Sequence, residues 1–388
     1  MLIEFGGENF SSFKEGFLIS FDMGKKCPLD VSNGDNISNL ICIKGANSSG
    51  KTNILKSLAF LGFFCTNSYS LKPEELIAVD SYFFNNNPTY LYCLFEINKS
   101  QYKYEVELNK NSIISESLTK RKKREVYLFK REKNELKYAI KDISNDLKNR
   151  KSIRNNASII SILHQAENKS LSDAYNFFNS ICSNVKYHGL QQDFLDESYI
   201  SNMLFNDKKM LNFVTKCIQE FEPTLKKIRF TEQEIDGVTI ASPIFDFSIE
   251  DKIKSLSYHH QSSGIKSLYK QLPLYRLVIK LGGVLILDEF DINLHPHILP
   301  FLTNLFSDNK INTKKAQLLF TSHNNEIMDR MTKYRTYLVD KYNNESYAYR
   351  LDEITGSILR NDRQISKPYN QAKLGGVPNQ HWSLDKIW

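Results

Sequence analysis

The sequence predicts an α/β fold with a mixed central sheet, an antiparallel β subdomain and an inserted helical subdomain. Three observations predict it. The octapeptide Gly45-Ala46-Asn47-Ser48-Ser49-Gly50-Lys51-Thr52 lies between an apolar run and a stretch of helical periodicity. Two more apolar runs, Val284–Leu287 and Gln317–Thr321, end in polar pairs, Asp288-Glu289 and Ser322-His323. From about Tyr90 to Tyr138, apolar and polar residues alternate with the period of half-buried strands.

Composition bounds the setting. At 388 residues the chain can hold one large core or two domains. No apolar run approaches the ~20 residues that cross a bilayer. The start, Met1-Leu2-Ile3-Glu4-Phe5, lacks the basic and apolar regions of a secretory signal. Cys27, Cys42, Cys65, Cys93, Cys182 and Cys217 are scattered without a C-x-x-C pair. They fit buried thiols in a reducing cytoplasm. The net charge of +7 permits nucleic-acid contact without requiring it.

In chain order, Leu2–Phe5 and Phe17–Phe21 read as paired strands, with Asn9-Phe10-Ser11-Ser12-Phe13 between them. Leu40–Ile43 is a buried strand that enters the octapeptide. Ile54, Leu55, Leu58 and Leu61 then recur at helical spacing. Strand, glycine loop, helix is the context that a phosphate-binding loop G-x-x-x-x-G-K-[ST] needs. Gly45 and Gly50 let consecutive N–H groups converge on phosphate oxygens, and the helix adds its positive end. Lys51 is expected to reach the outer phosphates, and Thr52 to place its hydroxyl on Mg2+; Asn53 completes the binding stretch.

Tyr102, Tyr104, Val106 and Leu108 define one strand of the alternating region. Lys120-Arg121-Lys122-Lys123-Arg124 interrupts it, either a phosphate-tracking run or a solvated hairpin tip. Residues 141–170 are rich in Asn, Lys and Ser with weak periodicity, and are expected to be mobile. Lys208–Phe221 carries a helical apolar face. Short strands follow at Ile228–Phe230, Val238–Ile240 and Ile244–Phe247. A helix runs from Ile265 to Leu281, where Pro273 should kink it or limit its first half, and Gly282-Gly283 stops it.

Asp288 and Glu289 come off a buried strand beside the phosphate loop. Asp288 is placed to hold Mg2+, and Glu289 to activate the attacking water. Ser262-Ser263-Gly264 opens a helix and is a second phosphate-binding feature or a plain cap. His323 ends the next strand, placed to contact a terminal phosphate. His295 and His297 flank Pro296 without a third metal ligand in sight.

The order phosphate loop, Ser-Ser-Gly, apolar-Asp-Glu, strand-Ser-His resembles the ABC-type ATPase head shared by SMC proteins, RecF and OLD-family nucleases. Within that group the chain most resembles compact bacterial AAA-family ATPases of the RloA and AbiL kind, associated with phage defence. Asn9–Phe13, Asp288-Glu289-Phe290-Asp291 leading into Leu294-His295-Pro296, and Tyr369 with Lys373-Leu374-Gly375-Gly376-Val377-Pro378 carry that likeness. The resemblance implies an ATP-sandwich homodimer or higher oligomer. Ser262, Ser263 and Gly264 of one subunit would close on ATP held by Lys51 and Thr52 of the other. Glu289 would then drive hydrolysis with His323 sensing the γ-phosphate. Ser263 and Ile265 depart from the usual signature Gly and Gln. The Gln loop has no clear position: Gln191 and Gln192 are the nearest candidates, and a plain surface pair is the preferred reading of them.

No Asp-x-Asp follows His323, so the nuclease domain of the OLD family is not expected. The tail from Lys341, with Tyr342, Trp382 and Trp388, either docks a partner or closes the sheet. The expected division is residues 1–140, an ATPase lobe; 141–225, a helical insertion; and 226–388, a second ATPase lobe. The expected function is a cytoplasmic, Mg-dependent ATPase switch that controls a separate nuclease or toxin, without membrane association. The alternative is a RecF-like clamp on DNA.

Overall fold

The computed structural model describes residues 1–148, 153–191, 196–235, 238–355, 358–361 and 363–378. The chain begins with β1 (Leu2–Glu8), β2 (Phe17–Ser20), a single turn α1 (Leu29–Ser32), β3 (Leu40–Gly45) and α2 (Lys51–Asn67). Five strands follow: β4 (Thr89–Ile97), β5 (Ser100–Leu108), β6 (Ile113–Arg121), β7 (Glu125–Glu132) and β8 (Glu135–Ala139). Then come α3 (Lys141–Lys148), α4 (Ile159–His164), α5 (Ser172–Asn179), β9 (Ile181–Ser183), and the hairpin β10 (Val185–Lys186) and β11 (Gly189–Leu190). Next are α6 (Glu197–Asn206), α7 (Lys208–Gln219), β12 (Leu225–Ile235), β13 (Val238–Ile249), β14 (Lys252–Ser257) and α8 (Ser263–Leu281). The chain continues through β15 (Val284–Leu287), α9 (Leu299–Ser307), β16 (Gln317–Thr321), α10 (Ile327–Met331), β17 (Thr336–Tyr342), β18 (Glu345–Arg350) and α11 (Ser366–Asn370).

These elements form two compact units. The first holds residues 1–190, 283–290 and 317–388; the second holds 191–282 and 291–316. The expected boundaries at 140 and 225 follow composition and not these units, because the helices up to residue 190 pack into the first.

In the first unit the central sheet has the order β18-β17-β3-β16-β15-β9. Its strands β17, β3, β16, β15 and β9 are parallel, and β18 returns antiparallel at the edge. The tail strands therefore close the sheet, while Trp382 and Trp388 lie outside the described residues. The second sheet is antiparallel, β2-β1-β4-β5-β6-β7-β8. Helix α2 touches β15 and β16 of the first sheet, β1 and β4 of the second, and α4 and α5. Ile54, Leu55, Leu58 and Leu61 are accordingly fully buried. Each such side chain contributes about 1.5–3 kcal/mol. The helix that follows the phosphate loop is thus pinned from several directions.

The Asn-rich stretch after residue 141 is corrected by the structure. Residues 153–163 are anchored by an ion pair with no solvent access. Arg131 Nε lies 2.8 Å from Glu116 Oε2, and both side chains are fully buried. Glu116 also accepts from Tyr104 (2.9 Å), Ser158 (2.6 Å) and the Ile159 N–H (3.2 Å). Arg131 donates to the carbonyls of Arg154 (2.9 Å) and Ala157 (2.8 Å). Arg154 in turn donates to the carbonyls of Tyr69 and Leu71. Polar composition here supplies a buried network rather than mobility, and residues 149–152 lie outside the described residues.

In the second unit β12, β13 and β14 form an antiparallel sheet, with the two expected segments at 238–240 and 244–247 joined as one strand. Helix α7 covers Lys208–Gln219 of the expected Lys208–Phe221 and buries Met210, Val214, Cys217 and Ile218. Helix α8 continues through Pro273 to its left-handed cap at Gly282, so the expected limit at Pro273 is not where it ends. Tyr269, Leu272, Pro273 and Tyr275 are buried along it, and that packing offsets the hydrogen bond lost at proline.

All six cysteines are free thiols. Burial pushes the Cys65 and Cys93 thiols above their usual range, which fits inert core residues. Among the described residues no helix is long and apolar enough to cross a membrane.

Replacing Arg131 with Met leaves the Glu116 carboxylate buried without its counter-charge. The expected cost is about 3–5 kcal/mol, read as a lower urea midpoint at unchanged slope.

Candidate nucleotide site

Parallel pairing sets the site. β3, β16 and β15 lie side by side in register, so their C-terminal ends emerge along one edge. The phosphate loop leaves β3, Asp288 and Glu289 leave β15, and Ser322 and His323 leave β16. Segments from opposite halves of the sequence thus meet in one unit.

The loop itself is tightly enclosed. Gly50 has φ +113°, and a Cβ there would sit within 3 Å of the hydroxyls of Ser12 and Ser346. A Cβ at Gly45 would strike the Val339 carbonyl. Asn53 donates to Ser12 Oγ at 2.8 Å. Ser346 donates to the Ser49 carbonyl (2.6 Å), and its Oγ lies in hydrogen-bond contact with Ser12 Oγ (2.8 Å). The Asn9–Phe13 turn therefore fixes the back of the loop, with Phe10 and Phe13 fully buried beneath it. The closing motif lies beside it too: Gly376 donates its N–H to Asp340 (3.2 Å), and Tyr369 donates to the Gly376 carbonyl (2.9 Å).

Lys51 Nζ donates to the Gly45 and Ala46 carbonyls at 3.0 and 2.9 Å, folded over the loop it belongs to. Burial holds its ammonium below the usual lysine range, partly offset by Asp288 and Glu289. Asn47 and Ser48 face solvent, and Ala46 is half-buried.

Asp288 is the junction. Its Oδ2 accepts from Thr52 Oγ1 at 2.6 Å, and its Oδ1 accepts from Thr321 Oγ1 at 2.6 Å. A hydroxyl and a carboxylate are the hard oxygen donors that Mg2+ takes, so the pair fits that ion. The loop, with its tight glycine turn and helix start, fits a triphosphate. Glu289 has φ +51°, its N–H donates to Thr321 Oγ1 (2.8 Å), and its Oε1 lies 3.9 Å from His323 Nε2. Both side chains are partly exposed.

Two positioning residues carry no sequence motif. Asn184, just after β9, accepts the Asp288 N–H (2.8 Å) and donates to the Asp288 carbonyl (2.9 Å). Lys44, 2% exposed, donates to the carbonyls of Ser322 (2.7 Å) and Asn324 (3.1 Å), on either side of His323. Only the fold, which places β9 and β16 next to these strands, makes them visible.

In the second unit, Ser262 caps α8, accepting from the Ile265 N–H at 3.3 Å. Ser262 and Ser263 stay exposed at the start of this long helix, beside half-buried Gly264. Gln191 is half-buried, and its Oε1 has no hydrogen-bond partner among the described residues, unlike a surface residue. Gln192 lies outside the described residues. His295 and His297 stack with ring centroids 5.1 Å apart, and no metal-binding cluster of three occurs among the described residues. The basic run sits where β6 turns into β7, with Arg121 to Arg124 exposed.

Removing the Asn184 side chain by Asn184→Ala frees both polar ends of the Asp288 peptide. If Asp288 holds a cation, as proposed below, ATP turnover falls about 10–100-fold in this variant. Thermal unfolding of the variant should shift by no more than a few degrees.

Several solved structures are similar in fold. The SMC head domain from Thermotoga maritima is 16% identical at a TM-score of 0.46, with 90% of this chain and 98% of that chain covered. An SMC head bound to the C-terminal winged-helix domain of ScpA is 15% identical at 0.47, covering 91% and 98%. The recombination mediator RecF is 11% identical at 0.40, covering 90% and 98%. No curated protein matches the chain. Over residues 40–329, from the strand that enters the phosphate loop to just past His323, the chain matches one family, and it belongs to that family: AAA domain, putative AbiEii toxin, Type IV TA system.

Proposed function

We propose that this protein is an ATP-hydrolysing switch in anti-phage defence that closes as a dimer and controls a separate effector, a nuclease or toxin. The observation that carries the reading is the shared carboxylate of Asp288, bonded to Thr52 from the phosphate loop and to Thr321 from the neighbouring strand. Bound ATP with Mg2+ supplies the phosphoanhydride to be cleaved and the cation that neutralises it. Residues 45–53 cradle the phosphates, and Lys51 leaves the Gly45 and Ala46 carbonyls to reach the outer ones. Thr52 and Asp288 hold the cation. Glu289 takes a proton from the attacking water, and His323, beside it, contacts the terminal phosphate.

The exposed start of α8 completes the site across two copies. Ser262, Ser263 and Gly264 of one subunit close on ATP held by the other, so triphosphate acts as the joint between them. The family description names a putative toxin and a type IV toxin–antitoxin system, which supports a role linked to a toxin.

A second reading rests on the exposed Arg121–Arg124 tip: an ATP-closed clamp on DNA. A clamp binds duplex DNA in the presence of ATP, with affinity falling steeply as salt rises. Charge reversal at Lys122, Lys123 and Arg124 abolishes that binding in a clamp and leaves a switch intact.

Lys51→Ala should eliminate nucleotide binding or turnover. Glu289→Gln should slow hydrolysis about 100-fold or more while prolonging the ATP-bound dimer, measured by single-turnover kinetics and size-exclusion light scattering. Unchanged turnover in this variant would exclude Glu289 as the base that activates water. Ser262→Arg should keep ATP binding yet block dimerisation, and its mixture with Lys51→Ala should restore at most one working site per pair.

A further inference from the structure

A cavity of about 530 Å³ runs along one face of α2. Lys56, Ala59, Phe60, Phe63 and Thr66 of that helix form one wall. Phe178, Ile181, Val185 and the segment Lys186-Tyr187-His188 form the other. Its size and its mainly apolar, aromatic lining are those of a small-ligand site. Phe63 is 44% exposed there, an aromatic ring left open at the mouth. At the rim Lys186 and His188 are exposed, while Lys56 lies 4.7 Å from the Tyr187 ring and is paired with Asp80 at 3.6 Å, which leaves Lys186 as the exposed lysine there.

The cavity wall and the nucleotide site share one short segment. Ser183 and Val185 line the cavity, and Asn184 between them holds both ends of the Asp288 peptide. A little further along, Gly189 lies against Thr52, where an added Cβ would come 3.9 Å from Thr52 Cγ2. Helix α2 itself begins with Lys51 and Thr52. A molecule wedged between α2 and residues 183–188 bears on both partners of the Thr52–Asp288 contact.

We propose that this cavity is a regulatory site for a small amphipathic anion, with its apolar body among Phe60, Phe63 and Phe178 and its acidic group at Lys186 and His188. Occupancy changes ATP turnover through Asn184. The coupling rests on the proposed role of Asp288 in holding the cation; the binding does not.

The probes are 8-anilinonaphthalene-1-sulfonate and its uncharged analogue N-phenyl-1-naphthylamine, titrated by fluorescence into the full chain. One saturable site is expected for each. Ala59→Trp, which fills the cavity from α2, should weaken both at least tenfold. Ala78→Leu fills it from outside that helix and should do the same if the first variant does not fold. Lys186→Glu should weaken the sulfonate several-fold and leave the amine unchanged. Saturating sulfonate should change ATP turnover at least twofold in the parent chain and not in Ala59→Trp. Equal sulfonate binding by the parent and both filled variants overturns the site. Equal loss of both probes in Lys186→Glu overturns the anionic class. Cavity-dependent binding without any effect on turnover overturns the coupling alone. The reading of Asp288 and Glu289 stands or falls separately, on Lys51→Ala and Glu289→Gln.

Discussion

The Asp288 carboxylate takes a hydroxyl on each oxygen, Thr52 on one and Thr321 on the other, both at 2.6 Å. The two hydroxyls come from different segments, and the acid sits between them because β16 pairs in parallel with both β3 and β15. Register is the underlying constraint. A one-residue slip in either pairing would turn alternate side chains to the other face of the sheet and separate the acid from both partners. Continuous apolar strands, buried on both faces, are what hold that register.

Backbone contacts hold the site as firmly as side chains do. Asn184 engages the Asp288 peptide at both its N–H and its carbonyl, and Lys44 bridges two carbonyls around His323. Ser12 and Ser346 close behind Gly50, where no side chain would fit. These hydrogen bonds fix the backbone on which Asp288 and His323 are carried. Glu289 and His323 remain partly exposed and near each other. The frame is thus fixed by backbone contacts while Glu289 and His323 stay accessible.

The buried Arg131–Glu116 pair plays a similar part for the antiparallel sheet. It ties β6 and β7 to residues 153–159 and, through Arg154, to the chain after α2. The polar composition of residues 141–170 suggests a mobile stretch only while polar residues are counted without their partners. An Asn or Ser that finds a buried carboxylate or carbonyl is as fixed as a Leu in a core.

The sequence by itself determined the phosphate-loop pattern, the acidic strand end, the strand before His323, the alternating strands and the existence of helices α2, α7 and α8. Each is a local pattern: fixed residue types at fixed spacing, or apolar periodicity matched to the backbone repeat. Family membership was legible for the same reason, since the motif order survives in one dimension. Only the tertiary structure decided what surrounds them. Asn184, Lys44 and Ser346 act through partners far away in the chain, and no spacing rule links such positions. The two-unit division was equally out of reach, because contiguous composition cannot reveal that residues 283–290 and 317–388 fold back onto the first 190.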